Sequence, residues 1–402
     1  MAVDSYPGRV VGRADAGAGV AFAGLTLLTH LANLAFVIVG ARLLTPGDFG
    51  NLTAILGIVL VGMAPAMAIQ SLTAAGALGR PVSIDRPLAW RLAATIGVIV
   101  AVVMGVAAEL LELDGTIVVP AVAVAGAALP LTAMSEGLLQ GHARFVALGS
   151  VMAFGAGTKL TLGALGMSLS PTLAAAALAI ASGYVVQASA SRIRSRELAP
   201  VSPRIPLTTP VVYAVVLMAG LLALVHLDAV IAPAILGELE SGRYGVGVVA
   251  IRITFWLPQF AVLLLFPRLV RYNHRRVVGA TFTGVAVLGL FGAGAAFVIG
   301  PTFAELGFGS RLAAVGPELW RFVLVGAMLL GLQFLALLDL ATGRRHALWL
   351  IGAAAVTIGI WLPVSGAGTA AQLVTHVMAV LAAFFVAGVG IALAASKAVS
   401  PT

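Results

Sequence analysis

The stretch RLLTPGDFGN, Arg42 to Asn51, lies between two long apolar runs, and LESGRYGVG, Leu239 to Gly247, repeats its core. Gly47-Asp48-Phe49-Gly50 and Gly242-Arg243-Tyr244-Gly245 share a Gly-x-aromatic-Gly pattern 195 positions apart in a chain of 402 residues. A spacing of nearly half the chain is what an internal duplication leaves. A second pair agrees: LLQGHARF, Leu138 to Phe145, against LATGRRHAL, Leu340 to Leu348, with Gly141 and Gly343 separated by 202 positions.

The setting of these repeats is apolar throughout. The chain is 61% hydrophobic and 9% charged, with a mean hydropathy of +1.10, whereas soluble domains carry about 25% charged residues. Apolar runs long enough to cross a hydrocarbon core of about 30 Å as helices recur along its length, and no alternating ten-residue strand pattern supports a barrel. Twelve helices are expected, at about 16–44, 47–78, 88–112, 115–140, 145–168, 171–190, 207–236, 242–269, 277–300, 315–340, 346–364 and 369–396. The first run is too long for a signal-peptide core and reads as a retained helix. With no cysteine, disulfides, thiol catalysis and Cys-ligated metal are excluded. The basic residues are almost all arginine, Lys159 and Lys397 being the only lysines, which points to a GC-rich bacterial source.

A net charge of +8 would suggest nucleic acid in a soluble protein; here the basic residues sit between spans and read as topology signals, with no nucleic-acid partner expected. Seventeen lie at the N-terminus, in alternate loops or at the C-terminus, among them Arg9, Arg80, Arg144, Arg204, Arg268, Arg271, Arg344 and Lys397, against four in the opposite loops: Arg42, Arg243, Arg311 and Arg321. Both termini are therefore expected in the cytoplasm. The polar, proline-containing segment SRIRSRELAPVSPRIP, Ser191 to Pro206, reads as a cytoplasmic linker. The expected architecture is an all-α membrane protein of two pseudo-symmetric six-helix lobes around a central cavity, residues 1–190 and 207–402 joined by linker 191–206. An even helix count per half makes the lobes parallel repeats.

Two of the 23 basic residues remain, and both fall inside spans. Lys159 on the fifth helix and Arg252 on the eighth lie at a depth similar to that of His226 and Asp228 on the seventh and His30 and Asn33 on the first, counting about 1.5 Å per residue. A charge at mid-bilayer requires a partner, a wet cavity or a function. Asp228 and Arg252 suit either a structural ion pair or, with Arg252 turned to a cavity beside Lys159, a phosphate site, for which a guanidinium fork is well matched. His30, Asn33 and His226 are polar or coupling candidates, though such residues, like Gln259, commonly bond across helices. Glu136 and Asp339 are expected to pair with Arg144 or Arg344. Pro65, Pro120, Pro130, Pro233, Pro258 and Pro267 are expected to kink spans. In the repeat, Thr45 and Ser241 are expected to cap their helices, and Phe49 and Tyr244 to sit at the outer membrane interface. No Walker A, zinc or nucleophile-elbow motif is present in the sequence, so no catalytic residue, metal site or cofactor is assigned and the chain is not read as an enzyme.

ARLLTPGDFGNLTAIL, Ala41 to Leu56, resembles the first-to-second helix junction of polysaccharide flippases in the multidrug/oligosaccharidyl-lipid/polysaccharide exporter superfamily. His226 to Arg271, with its Asp228, its Gly-x-Tyr and its Phe-Pro-Arg close, is similar to the corresponding part of their second half. The resemblance implies two six-helix lobes (a MATE-like fold) that open alternately to each side of a bacterial inner membrane. It also implies transport of a polyprenyl-diphosphate-linked glycan, used in cell-envelope glycan synthesis, to the outer leaflet, in a setting of membrane lipids and envelope glycosyltransferases or a polymerase. In such flippases cationic cavity residues meet the diphosphate, and Arg252 and Lys159 are assigned here by chemistry, not by a matched motif. Drug-exporting relatives often carry a carboxylate on the first helix, where this chain offers His30 and Asn33; lipid II flippases usually have two more helices. A cation-coupled antiporter and a non-transporting scaffold are the competing readings.

Overall fold

A computed structural model of the chain describes residues 13–77, 86–198, 209–256, 258 and 275–397. Among them are twelve α-helices: α1 (Arg13–Leu43), α2 (Pro46–Ala77), α3 (Arg86–Leu110), α4 (Gly115–Gly141), α5 (Phe145–Leu169), α6 (Leu173–Ser195), α7 (Thr209–Ile235), α8 (Glu238–Trp256), α9 (Arg275–Phe308), α10 (Leu319–Thr342), α11 (His346–Val364) and α12 (Ala370–Lys397), with a 3-10 segment, Ala313–Glu318, before α10. The twelve expected helices are all found. Linker positions 199–206, Gln259, Pro267, the Phe266-Pro267-Arg268 close and the topology signals Arg9, Arg80, Arg204, Arg268 and Arg271 lie outside the described residues.

Short polar turns end one helix and cap the next. Thr45 Oγ1 accepts from the Asp48 N–H at 3.1 Å and donates to Asp48 Oδ2 at 3.0 Å, so α2 starts on the expected cap. Asp114 caps α4, accepting from the Thr116 N–H at 3.1 Å, and its hydrogen bonds with Thr116 hold the carboxyl below its ordinary range. Gly343 takes a left-handed φ of 72° at the end of α10, the conformation glycine adopts without a Cβ penalty. Pro65, Pro120, Pro130 and Pro233 are carried inside continuous helices.

Eleven of the helices are long and apolar enough to cross a membrane; the described part of α8, bearing Glu238, Glu240, Arg243 and Arg252, is the exception. The chain is a multi-pass membrane protein. Burial sorts the helices: 72% of the apolar window is buried in α10 and 61% in α2, against 22% in α1, α9 and α12. The first two therefore sit inside the bundle and the last three face lipid, where side chains such as Phe291 and Val386 are left exposed and hydrocarbon makes that no liability.

Helices α1 to α6 pack on one another, as do α7 to α12, and the two sets meet where α2 lies against α7 and α8, with a smaller contact of α1 on α9. The repeated glycines make the central contact. A β-carbon at Gly242 would stand 2.6 Å from the Pro46 carbonyl oxygen, one at Gly245 would stand 3.0 Å from the Phe49 ring, and one at Gly50 would overlap the Ser241 side chain. The two copies of the motif thus face each other across the crossing of α2 and α8. This end of the bundle is called the junction end below, and the end holding the α4–α5 and α10–α11 turns the linker end.

Two readings of the motif are corrected. Phe49 and Tyr244 are 0% and 1% exposed, packed against Phe308 and Phe322 at ring-centroid distances of 6.3 and 5.2 Å, and do not lie at a lipid interface. Ser241 caps nothing, because α8 starts a turn earlier at Glu238, and its hydroxyl is buried without a partner in the crossing.

Candidate functional site

Lys159 is placed by glycines. Gly155 and Gly163 flank it one helical turn away on either side of α5, and a β-carbon at Gly163 would stand 2.8 Å from Phe36 Cδ2 on α1. On α6, a β-carbon at Gly183 would stand 2.8 Å from Lys159 Cβ. With both neighbouring helices drawn in this close, the lysine stem is gripped and the residue is 9% exposed. Its ammonium lies 5.3 Å from the Phe36 ring centroid, a cation–π contact; among the described residues it has no hydrogen bond or ion pair.

Arg252 stands across the seam between the helix sets. Its Nη2 donates to the Thr53 carbonyl of α2 at 3.0 Å, while its Nε is buried without a partner. The expected pairing with Asp228 is not the one formed: among the described residues the ion pairs within 4.0 Å are Arg243 with Glu240 and Arg321 with Glu318. Asp228 instead accepts from Tyr244 Oη at 2.6 Å, which ties α7 to α8 inside the bundle. Arg252 is nonetheless near enough to interact electrostatically with Asp228, His226, Tyr184 and Lys159. The polar residues of α5, α6, α7 and α8 therefore converge.

His226 is fully buried and neither ring nitrogen has a partner. It packs on α2 at Gly57, where a β-carbon would stand 3.3 Å from His226 Cβ. Gly57 occupies the position in the first half that matches Arg252 in the second, so the absence of a side chain there makes room for α7. His30, by contrast, is exposed and Asn33 half-buried, and neither forms a hydrogen bond or ion pair among the described residues. Among the described residues neither makes a polar contact with Lys159, Arg252, Asp228 or His226.

Glu136 and Asp339 do not pair with Arg144 or Arg344 as expected. Glu136 is buried and accepts from Gln187 Nε2 at 2.8 Å and Ser191 Oγ at 3.4 Å, holding α4 to α6. Asp339 Oδ2 accepts from the Ala347 N–H at 2.6 Å and so serves the first turn of α11, while Arg344 Nη2 donates to the Ala395 carbonyl at 2.9 Å. A buried acid at each site is satisfied by neutral donors, which need no second desolvated charge.

Tyr244 is the residue that sequence reasoning missed. At the 195-residue offset of the repeat, Asp228 matches Asn33 and Tyr244 matches Phe49. The hydroxyl is present only in the half that has a carboxylate to receive it, and that joint difference was the available signal. Among the described residues no group of three or more His, Asp or Glu side chains is arranged to hold a metal ion.

Two sets of six helices joined along α2, α7 and α8 make a MATE-like fold. The chain is similar to an inward-facing multidrug resistance MATE family transporter of the MOP superfamily, with a TM-score of 0.68 at 13% identity over 92% of this chain and 96% of the other. It is similar too to the Vibrio cholerae MATE transporter VcmN in its bent form, with a TM-score of 0.55 at 14% identity over 95% and 99% of the two chains. An outward-facing MATE family transporter gives 0.51 at 13% identity over 95% and 94%. No protein-family model matches the chain, and no curated protein sequence does.

Proposed function

We propose that the chain is a flippase that carries a polyprenyl-diphosphate-linked glycan between the leaflets of the bacterial inner membrane by alternating access, its two six-helix lobes being residues 1–190 and 207–402. The observation that carries this reading is the pairing geometry of the cluster. Its one carboxylate in reach, Asp228, is engaged by Tyr244, which leaves Arg252 and Lys159 as cations without an ion-pair partner among the described residues. A buried lysine and a half-buried arginine suit an anionic head group; a diphosphate offers each of them charge-assisted hydrogen bonds, and lowering the barrier for that group is the main task, since the prenyl tail already prefers hydrocarbon.

The arginine asymmetry puts the linker end in the cytoplasm. On that orientation the arrangement described above, closed at the junction end by α2 against α8, is the one that admits cargo from the cytoplasmic side. His30, Asn33 and His226 then lie on helices that part when the lobes exchange. Multidrug export, named for the similar transporters, is disfavoured by the missing carboxylate: between Val20 and Leu43, α1 has no Asp or Glu.

The test is flipping of a fluorescent polyprenyl-diphosphate oligosaccharide in proteoliposomes. Lys159→Ala and Arg252→Ala should each slow flipping about tenfold or more, the loss expected when a charge-assisted hydrogen bond is removed. Arg252→Lys, which keeps the charge and loses the planar fork, should be intermediate, and melting temperature checks folding. Wild-type flipping by the double alanine variant would overturn the proposal, and proton- or sodium-driven ethidium efflux in its place would establish the antiporter.

A further inference from the structure

Four arginines lie at the junction end, the side otherwise rich in acids: Arg42, Arg243 and Arg321 in the end turns of helices and Arg311 in the turn after α9. Two are accounted for by neighbouring carboxylates: Arg243 pairs with Glu240, and Arg321 with Glu318 at 2.7 Å. The other two, Arg42 and Arg311, come from opposite halves of the chain and line one recess of about 250 Å³ with Pro46, Phe308 and Ser310. No Asp or Glu lines it. Arg42 spans the seam: its Nε donates to the Gly307 carbonyl at 3.0 Å and its Nη2 to the Leu306 carbonyl, at the C-terminus of α9, leaving Nη1 without a partner among the described residues. Arg311 is exposed and has no hydrogen bond or ion pair among the described residues.

The recess adjoins an apolar groove of about 510 Å³ on the lipid-facing helix α9, formed by Val298, Ile299, Phe303 and Leu306. The two meet at the Leu306 and Gly307 carbonyls that Arg42 holds. Cations beside an acid-free recess at the end of a span, opening onto a groove that already faces hydrocarbon, match the two parts of a phospholipid. Size sets the class, since 250 Å³ falls below the roughly 300–1,000 Å³ of pockets for drug-sized ligands. A head-group phosphate fits, and a diphosphate with several sugars does not.

We propose that this recess binds the phosphate of an anionic phospholipid, with an acyl chain along the α9 groove, and that the bound lipid bridges the end of α1 to the turn after α9. This site is separate from the buried cluster and does not depend on the transport reading. The test is native mass spectrometry of the full chain titrated with dioleoylphosphatidylglycerol. Arg311→Gln, at an exposed residue with no protein partner, should fold normally and weaken retention of the lipid about tenfold, the value of one charge-assisted contact. Ile299→Asp in the groove should weaken it as well, and Arg321→Gln should leave it unchanged. Equal retention by Arg311→Gln and wild type would overturn the proposal. So would full competition by deacylated glycerophosphoglycerol, which would show a phosphate site with no use for the chain.

Discussion

Tyr244 and Asp228 show how one hydroxyl decides whether a carboxylate can stay inside the bundle. A buried acid left without a donor bears its desolvation penalty in full. Tyr244→Phe should therefore lower stability by about 1–3 kcal/mol, seen as a lower melting temperature in detergent. Asp228→Asn should cost less, because an amide oxygen still accepts from the same hydroxyl. The double variant rebuilds the Asn33 and Phe49 combination of the first half and should recover part of the Tyr244→Phe loss. Strict additivity of the two single effects would mean that the 2.6 Å bond contributes nothing of its own.

Among the elements, α2 and α8 cross closely, and their crossing was legible in part. The glycine repeat announced a duplication; depth along each helix followed from counting residues, which is why Lys159, His226, Asp228 and Arg252 were grouped. What counting cannot give is azimuth. Two residues at one depth meet only if their helices turn them together, and this is why Asp228 met Tyr244, His30 stayed outside, and Glu136 found Gln187 when the sequence offered Arg144. The aromatics of the repeat were misplaced for a related reason: an aromatic near a helix end suits a lipid interface, until a second copy of the same helix end packs over it. Gly242→Ala tests the crossing. Its new β-carbon would meet the Pro46 carbonyl at 2.6 Å, and overpacking of this kind costs about 1–3 kcal/mol, so the helices should separate. The chain has no cysteine; Thr53→Cys, at a position 2% exposed, can therefore be labelled alone. Its reaction with a small maleimide should rise about tenfold in the Gly242→Ala background, one factor of ten corresponding to 1.4 kcal/mol. An unchanged rate would mean that the neighbouring backbone yields and the crossing holds.

Across the described residues of the whole molecule, the two helix sets meet chiefly where α2 lies against α7 and α8, with Arg42 fastening α1 to the end of α9. The buried apolar core is continuous through both sets, so one set can rock on the other only about this seam, where glycines set the contact of α2 with α8. If they rock, the junction end must open in some part of the cycle. Gly47 and Glu238 provide a lock, because a β-carbon at Gly47 would stand 3.2 Å from Glu238 Cβ, a few tenths of an ångström short of the roughly 3.5–4.5 Å that disulfides span, which a small outward shift supplies. Oxidation of the Gly47→Cys/Glu238→Cys variant should join the halves of the chain, visible after cleavage at a protease site inserted between α6 and α7. Flipping should then stop, and dithiothreitol should restore it. The reduced variant should work at close to the wild-type rate, since neither residue belongs to the buried cluster. Undiminished flipping with the bond formed would show that cargo moves without separation at this end, and would remove alternating access from the account of how this fold works.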